Sequence, residues 1–342
     1  MKTEILYAPD IGAKDQIERA GKLLKEGKIV AIPTETVYGL AASAYNEEAV
    51  KNIFKAKGRP GDNPLIVHIA DEKPLSDIAK EIPQNALVCM NAFWPGPFTA
   101  IVPKSEKIPY SVSAGLETVA IRMPKHPVAR EIIKAAGVPL AAPSANLSGS
   151  PSPTTARHVI EDLNGRVDAI VSGDDSKVGV ESTVVTFATN PPRLLRPGGI
   201  TVEQLKELLP DLVIDPAVLS EPEKGQKVAS PGMKYKHYAP KAEVTMVSGD
   251  SKSFADYCNK NKDLFDLVLG FEEDKNSILL PFESLGKEKE YSVQAELLFS
   301  KLREIDEKGH KKVLAHAPER KGVGLAVYNR LIRAAGFKVI EL

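Results

Sequence analysis

Hydrophobic and polar residues recur along this chain with two different spacings, which together predict a mixture of helices and strands. Short apolar runs such as residues 28–32, KIVAI, are typical of buried strands. Apolar residues three or four positions apart, such as Ile17, Ala20 and Leu24, are typical of helices with one buried face. Because the two patterns follow one another along the sequence, we expect an α/β fold.

The first 209 residues are predicted to form one domain of closely spaced helices and strands. Asp15 with Glu18 is expected to begin the first helix, Asn46 to cap the second, and Thr201 with Gln204 to form a capping box. Further helices are predicted at residues 75–82, 86–93 and 127–136 and in a segment ending at 163, with strands at 28–32, 65–69, 98–102, 118–123, 138–142, 169–171 and 182–187.

The remainder of the chain divides into a linker and a smaller second domain. Residues 210–241 contain several prolines and are predicted to form a linker that is either a tether or a lid over a site. Strands and helices alternate in residues 242–342, which predicts a small open sheet with a parallel core. Its strands are expected at 242–247, 264–269, 277–280, 313–316 and 338–340, and its helices at 253–261, 292–308 and 325–335.

Composition restricts the possible functions. The 342 residues include 45 Lys or Arg and 45 Asp or Glu, so the formal net charge is zero, which argues against tight, non-specific binding of nucleic acid. The two cysteines, Cys89 and Cys258, are too few for a cysteine zinc cluster. The N-terminus lacks the apolar core of a signal peptide, and no apolar run reaches the roughly 18 residues of a membrane span. We therefore expect a cytoplasmic protein without a membrane segment.

A basic turn lies between the second helix and the next strand. Lys55, Lys57 and Arg59 are followed by the strand that carries His68, with glycines and prolines between them. Cations on such a rigid frame suit an anion with several charged oxygens, such as a polyphosphate. A solvated basic helix end is an equally good interpretation of this stretch alone.

Arg122 is unusual because it lies inside an apolar strand, at residues 118–123. A buried arginine requires an anionic partner. That partner is either a structural Asp or Glu, the interpretation slightly favoured by the sequence, or the carboxylate of a ligand held by two hydrogen bonds.

Polar side chains also accumulate at the ends of the predicted strands. Six separate stretches carry polar groups that a core does not need, and together they predict one site. Cations, hydroxyls, an amide and a histidine suit phosphoryl or nucleotidyl transfer, in which catalysis consists mostly of positioning and charge stabilisation. The stretches are 34–36, 57–68, 118–122, 144–152, Ser182 and Arg196.

Several motifs resemble those of the YrdC-like family, and the tail resembles its longer, two-domain members, the threonylcarbamoyl-AMP synthases. The family signature, K-x-R followed much later by S-x-N, occurs as residues 57–59 and 144–146. The resemblance covers nearly the whole chain. The motifs are PTETVYGL, KAKGRPGDNPLIVHI, FWPGPFTAIVPK, VAIRMPKHP, AAPSANLSGSPSPT, GVESTVV, LLRPGGIT, SPGMKYKHYAP and GLAVYNRLIRAAG.

The resemblance implies a twisted open α/β sheet with a large basic cleft, followed by a smaller Rossmann-like domain. It implies synthesis of threonylcarbamoyl-AMP from L-threonine, bicarbonate and ATP, with release of pyrophosphate. The product would serve a separate transferase complex that modifies tRNA beside the anticodon. Magnesium is expected with ATP, although no carboxylate ligand for it is indicated, and no redox cofactor is expected.

The resemblance also implies roles for individual residues. Lys57 and Arg59 are expected to be catalytic by clamping phosphate, and Tyr235 in the linker is expected to contact the nucleotide. The expected ATP-binding set is Lys57, Arg59, Asn63, Thr118, Ser144, Asn146, Ser152, Arg196 and Tyr235. The expected L-threonine-binding set is Thr36, His68, Arg122, Ala142 and Ser182.

Three other functions remain open from the sequence. A basic cleft could hold RNA without catalysis, although zero net charge argues against this. An ATP-binding regulator without turnover is a further possibility. A carbamoyl transferase for hydrogenase maturation uses a related domain, but such proteins carry zinc-finger cysteines and extra domains that this chain lacks.

Overall fold

The computed structural model describes residues 2–221 and 238–342, which divide into two compact units. The first unit comprises residues 2–148 and 152–218, and the second comprises 149–151, 219–221 and 238–342. Each contains a β-sheet with helices, so the prediction of an α/β fold with a large and a smaller sheet is confirmed.

The first unit is built on an eleven-stranded mixed sheet within the described residues. Its strand order is β1-β8-β2-β3-β7-β4-β6-β5-β9-β10-β11. The strands are β1 (Glu4–Tyr7), β2 (Val30–Ile32), β3 (Gly39–Ser43), β4 (Ile66–His68), β5 (Phe98–Pro103), β6 (Thr118–Arg122), β7 (Leu140–Ala142), β8 (Ala169–Ser172), β9 (Thr183–Thr186), β10 (Arg193–Arg196) and β11 (Val213–Ile214). The helices are α1 (Lys14–Lys25), α2 (Glu47–Lys57), α3 (Leu75–Ile78), α4 (Gln84–Phe93), α5 (Tyr110–Ser113), α6 (Pro127–Ala136), α7 (Ala156–Leu163) and α8 (Val202–Leu208).

Separate hydrophobic clusters pack against this sheet. One cluster contains Ile17 of α1, Ile32 of β2 and Ile132 of α6. A second contains Ile53 of α2 and Ile121 of β6. Helices α1 and α6 approach closely because Gly21 has no side chain, and a Cβ there would lie 2.4 Å from the Cβ of Ala135.

Helix α2 has the predicted ends, and they determine where Lys57 lies. The side chain of Asn46 accepts a hydrogen bond from the backbone N–H of Ala49 at 3.0 Å. Gly58 ends the helix in the left-handed conformation with φ +63°, which glycine adopts without strain. Lys57 is therefore the last helical residue, and its side chain is buried.

Several sequence predictions for the first unit are wrong. Helix α1 begins at Lys14 without a side-chain cap, so Asp15 lies inside its first turn instead of capping it. The helix predicted at 75–82 ends at Ile78, because Ala79 forms an antiparallel bridge with Lys104. Helix α5, Tyr110–Ser113, lies in a stretch where no element was predicted. At the start of the predicted linker, β11 pairs with β10 in the sheet.

The second unit has a five-stranded sheet in the order β14-β13-β15-β12-β16, and all four strand pairs are parallel, as predicted. The predicted strand at 277–280 is wrong, since a 3₁₀ turn occupies Lys275–Ser277 and the strand follows Pro281. The elements are β12 (Glu243–Ser248), α9 (Ser251–Lys260), β13 (Leu267–Gly270), β14 (Phe282–Ser284), α10 (Tyr291–Glu307), β15 (Lys312–His316), α11 (Gly324–Ala334) and β16 (Val339–Glu341).

Candidate active site

The candidate site lies on one face of the central strands of the first unit. Side chains alternate between the two faces of a strand, so Thr118, Ala120 and Arg122 share one face of β6, and Val119 and Ile121 share the other. Val119 and Ile121 belong to the large hydrophobic core. On the opposite face a smaller apolar cluster forms the floor between polar side chains, and it consists of Ile66, Ile101, Ala120, Val184, Leu195 and Ala217.

The strand register brings three of the predicted threonine-site residues to this face. His68 of β4 is the direct partner of Arg122 on the neighbouring parallel strand. Ala142 of β7 pairs with Ile66 of β4, two residues before His68. On the other side of β6, Arg122 pairs with Thr99 of β5.

Arg122 is held at three of its five N–H groups. Its Nη2 donates to Oε1 of Glu35 at 2.7 Å, its Nη1 donates to Oγ1 of Thr36 at 2.8 Å, and its Nε donates to the carbonyl oxygen of Gly96 at 3.3 Å. The structural acid that the sequence suggested is therefore Glu35. Two N–H groups of the guanidinium make no further hydrogen bond within the described residues, which leaves them able to bind a ligand carboxylate.

The loop before β3 fixes Thr36. The hydroxyl of Thr34 lies 2.9 Å from that of Thr36 and donates to the carbonyl oxygen of Val37. Tyr38 is completely buried, and its hydroxyl donates to the carbonyl oxygen of Gly173 at 3.0 Å. Burial raises the pKa of Tyr38, so this phenol remains protonated and acts as a structural support.

His68 is a neutral imidazole, and its contact with Ile66 favours one tautomer. Its Nδ1 lies 3.0 Å from the carbonyl oxygen of Ile66, and because a carbonyl only accepts, Nδ1 carries the proton. Burial, reinforced by the charge of Arg122, lowers the pKa of His68 to about 3. Nε2 consequently presents a lone pair that can accept a hydrogen bond from a hydroxyl or an amine.

Ser182 contacts both Arg196 and Thr99, the strand partner of Arg122. Its hydroxyl lies 2.7 Å from that of Thr99, and Nη2 of Arg196 donates to the same hydroxyl at 3.2 Å. Nε of Arg196 also donates to the Ser182 carbonyl oxygen at 3.0 Å. Arg196 pairs with Val184 across the two strands, which places it on the same face as the apolar floor.

Lys57 organises the loop that carries Ser144 and Asn146. Its ammonium donates to the carbonyl oxygens of both residues, at 2.6 Å for Asn146. The Ser144 hydroxyl in turn donates to Oδ1 of Asn146. The K-x-R and S-x-N segments of the sequence are therefore in direct contact, through Lys57.

Asn63 and Ser152 are both completely buried. Neither the nitrogen nor the oxygen of the Asn63 amide has a hydrogen-bond partner in the part of the chain that the structure describes. A buried amide without partners is costly, which is typical of a site that a polar ligand completes. The Ser152 hydroxyl donates to Oε1 of Glu181 at 2.5 Å.

The structure places the predicted residues in several contacting groups and adds three residues that belong to neither predicted binding set. Glu35, Thr99 and Glu181 lie in contact with predicted residues. Glu35 and Glu181 are each adjacent to a predicted residue in the chain, which was the available signal. Of the other predicted residues, Arg59 lies in the loop just after the Gly58 cap of α2, and Thr118 is the first residue of β6. Tyr235 lies outside the described residues.

The described residues contain neither a metal-binding cluster nor a membrane-spanning helix. No group of three or more His, Cys, Asp or Glu side chains there is arranged to hold a metal ion. Over the same residues, no helix is both long enough and apolar enough to cross a membrane.

Comparison with known proteins gives matches along nearly the whole chain. Residues 22–198 match the Sua5/YciO/YrdC family model, described as "Telomere recombination", and residues 200–336 match the model "Threonylcarbamoyl-AMP synthase, C-terminal domain". Two proteins named threonylcarbamoyl-AMP synthase are similar to it. The one from Pyrococcus abyssi is 43% identical over 97% of this chain and 99% of that protein, and the one from Bacillus subtilis is 46% identical over 95% and 94%.

A solved structure is similar as well. The crystal structure of P. abyssi Sua5 complexed with L-threonine matches with a TM-score of 0.90 and 42% identity, and it covers 100% of both chains.

Proposed function

Because this chain belongs to the Sua5 family of threonylcarbamoyl-AMP synthases, we propose that the polar face of its first unit is the active site of that reaction. The enzyme is a nucleotidyltransferase that joins L-threonine, bicarbonate and ATP into threonylcarbamoyl-AMP and releases pyrophosphate. The observation that carries the assignment of the site is the position of Arg122 and Thr118 on one face of β6. Four residues along a strand span about 13 Å, a distance that lets one face hold both an amino acid and a nucleotide.

In the proposed site the amino acid lies at the Arg122 end. The two remaining N–H groups of Arg122 bind the threonine carboxylate. The lone pair of His68 accepts a hydrogen bond from threonine, and the hydroxyls of Thr36 and Ser182 and the backbone of Ala142 complete the pocket. The neutral state of His68 supports this arrangement, because a protonated imidazole could not accept that hydrogen bond.

ATP lies along the remaining polar residues. Lys57, Arg59 and Arg196 neutralise the phosphates, with Lys57 also holding the loop of Ser144 and Asn146 in place. Asn63, Thr118, Ser144, Asn146 and Ser152 hold the nucleotide by hydrogen bonds. The enclosed, unpartnered amide of Asn63 supports its role, since bound ATP would supply the partners that the described residues do not.

The chemistry requires no nucleophile from the protein. The threonine amine attacks the carbon of carbon dioxide, which forms from bicarbonate, and loses a proton to give a carbamate. A carbamate oxygen then attacks the α-phosphorus of ATP, and pyrophosphate leaves with the electron pair of the broken bond. Two anions meet in this step, so the cations of the site lower its barrier by charge stabilisation.

Magnesium, the location and the downstream partner are further parts of the proposal. Mg²⁺ enters as the complex with ATP, in which phosphate oxygens and water supply most of its ligands. A cytoplasmic location is supported by the buried free thiols of Cys89 and Cys258, which suit a reducing compartment. The product passes to a separate transferase complex that completes the threonylcarbamoyladenosine modification of tRNA.

Pyrophosphate release tests the proposal directly. The protein is mixed with ATP, magnesium and bicarbonate, with L-threonine, with L-serine or with neither. We expect release that depends on threonine, is not supported by serine and is lost in Arg122→Ala. Arg19→Ala, which changes an exposed arginine on α1, serves as the matched control and should be fully active.

Two results would contradict it. Hydrolysis of ATP without threonine would be compatible with the proposed nucleotide site but would contradict the proposed amino-acid pocket. ATP binding without turnover would overturn the assignment of the reaction to this site.

A further inference from the structure

Glu35 is a largely buried carboxylate to which the proposed reaction assigns no step. It lies between Thr34 and Thr36 in the loop before β3, and 13% of its side chain is exposed. Its only ion pair among the described residues is with Arg122, whose side chain is 4% exposed. The pair therefore joins this loop to the strand residue that would receive the substrate carboxylate.

Glu35 is ionised at neutral pH in spite of its burial. Burial by itself would raise the pKa of this carboxyl, but the charge of Arg122 and backbone hydrogen bonds outweigh it, so the pKa lies below its usual value. Glu35 and Arg122 therefore form a pair of opposite charges in the pocket before any ligand binds.

Hydrogen bonds also hold the backbone around Glu35 in place. The carbonyl oxygen of Glu35 accepts a hydrogen bond from the N–H of Val178 at 2.8 Å, and that of Thr34 accepts one from the Ser176 hydroxyl at 2.9 Å. A carboxylate on a fixed loop orients the guanidinium that it binds. Together with Thr36 and Gly96 it sets the direction in which the two remaining N–H groups of Arg122 point.

We propose that Glu35 is a positioning and specificity residue that makes the amino-acid pocket selective for a zwitterion. It orients Arg122 for the α-carboxylate, and its negative charge favours a ligand that also carries an ammonium group. The same charge disfavours a ligand that is only an anion. This inference rests on the proposed function, because it requires the threonine carboxylate to bind at Arg122.

The discriminating probe is 3-hydroxybutanoate, which is threonine without its amino group. In Glu35→Gln the amide keeps the shape of the side chain but removes its charge, so Arg122 becomes an uncompensated cation. We expect the KM for L-threonine to rise by about tenfold or more, the scale of one charge-assisted hydrogen bond. The inhibition constant of 3-hydroxybutanoate should fall in the same variant, while the dissociation constant of ATP stays unchanged.

Opposite shifts for the two ligands separate this role from simple damage to the fold. A disordered pocket would bind both threonine and 3-hydroxybutanoate more weakly. That result would overturn the inference. Glu35→Asp provides a second test, because it keeps the charge on a shorter side chain. It should weaken threonine binding without improving 3-hydroxybutanoate binding. Glu131→Gln, which changes an exposed glutamate on α6, is the matched control and should change neither constant.

A double-mutant cycle with Arg122→Lys shows whether Glu35 acts through Arg122. If it does, the effect of Glu35→Gln on threonine should largely disappear when Arg122→Lys is already present. An unchanged threonine KM in Arg122→Lys would contradict the proposed function itself. A raised KM in Arg122→Lys with no effect of Glu35→Gln in the native chain would contradict only the inference about Glu35.

Discussion

His68 and Arg122 are direct partners on two neighbouring parallel strands, β4 and β6. Their side chains therefore emerge next to each other on the same face, and both are buried. The positive charge of Arg122 adds to the effect of burial in keeping His68 neutral. A permanent cation and a neutral hydrogen-bond acceptor thus lie side by side, which suits a ligand that has both a carboxylate and a hydroxyl.

The lowered pKa of His68 predicts how stability depends on pH. The unfolded state binds a proton at the usual pKa of about 6.5, whereas the folded state binds it only near pH 3. His68 therefore destabilises the fold as pH falls below about 6.5. Between pH 7.5 and 5.5 this amounts to about 1.4 kcal/mol. We expect the free energy of unfolding, measured with denaturant, to fall between pH 7.5 and 5.5 in both proteins. The fall should be smaller in His68→Asn than in the native chain, by about 1.4 kcal/mol. Equal losses in both proteins would show that His68 titrates normally.

Lys57 should be required for the order of the S-x-N loop. Lys57→Met keeps most of the apolar side chain but leaves the carbonyl oxygens of Ser144 and Asn146 without this donor, at a cost of about 1–3 kcal/mol for each. We expect a lower melting temperature and weaker ATP binding in isothermal titration. Lys55→Met, at an exposed position of the same helix, should behave like the native chain. Unchanged ATP affinity in Lys57→Met would contradict a role for this loop in the nucleotide site.

Asn63 should show opposite effects on stability and on binding. Its enclosed amide has no partner among the described residues, so Asn63→Leu, similar in size, should raise the free energy of unfolding by about 1–3 kcal/mol. The same variant should bind ATP more weakly, because the ligand loses its hydrogen bonds. Calorimetry gives both quantities, and Asn91→Leu on the exposed side of α4 is the control. A destabilised Asn63→Leu that binds ATP normally would contradict the proposed role.

Local signals in the sequence predicted the elements that frame the site. Asn46 and Gly58 delimit α2 because each acts on its own neighbouring backbone. Strand β3 was missed, since its sequence GLAAS contains no β-branched or aromatic residue. It forms nevertheless, because β2 and β7 pair with it on either side. Tertiary pairing therefore determines this strand, and its own composition does not.

The site residues themselves were only partly predictable. Polar side chains at strand ends can be recognised one stretch at a time, and the motif resemblance assigned them to two ligands. Glu35 lies within the predicted stretch 34–36 but received no role of its own, because that role depends on Arg122, which is 87 residues away in the chain. A pattern in neighbouring residues cannot predict a contact between residues so far apart in the sequence. The register that places His68 beside Arg122 is likewise a property of the folded sheet.

The second unit contains a buried pair whose loss should affect stability more than catalysis. Nδ1 of His316 lies 2.7 Å from Oδ2 of Asp274, and this carboxylate also accepts a hydrogen bond from the N–H of Phe271. Asp274→Ala leaves the buried imidazole of His316 and the backbone N–H of Phe271 without this acceptor, at a cost of about 1–3 kcal/mol for each. We expect the variant to be cleaved faster in residues 242–342 during limited proteolysis, with unchanged KM values for threonine and ATP in the intact protein. Glu272→Ala, on the exposed side of the same turn, should be cleaved at the native rate. If Asp274→Ala kept its resistance to proteolysis but lost synthase activity, the carboxylate would have a role in the reaction instead of in the fold.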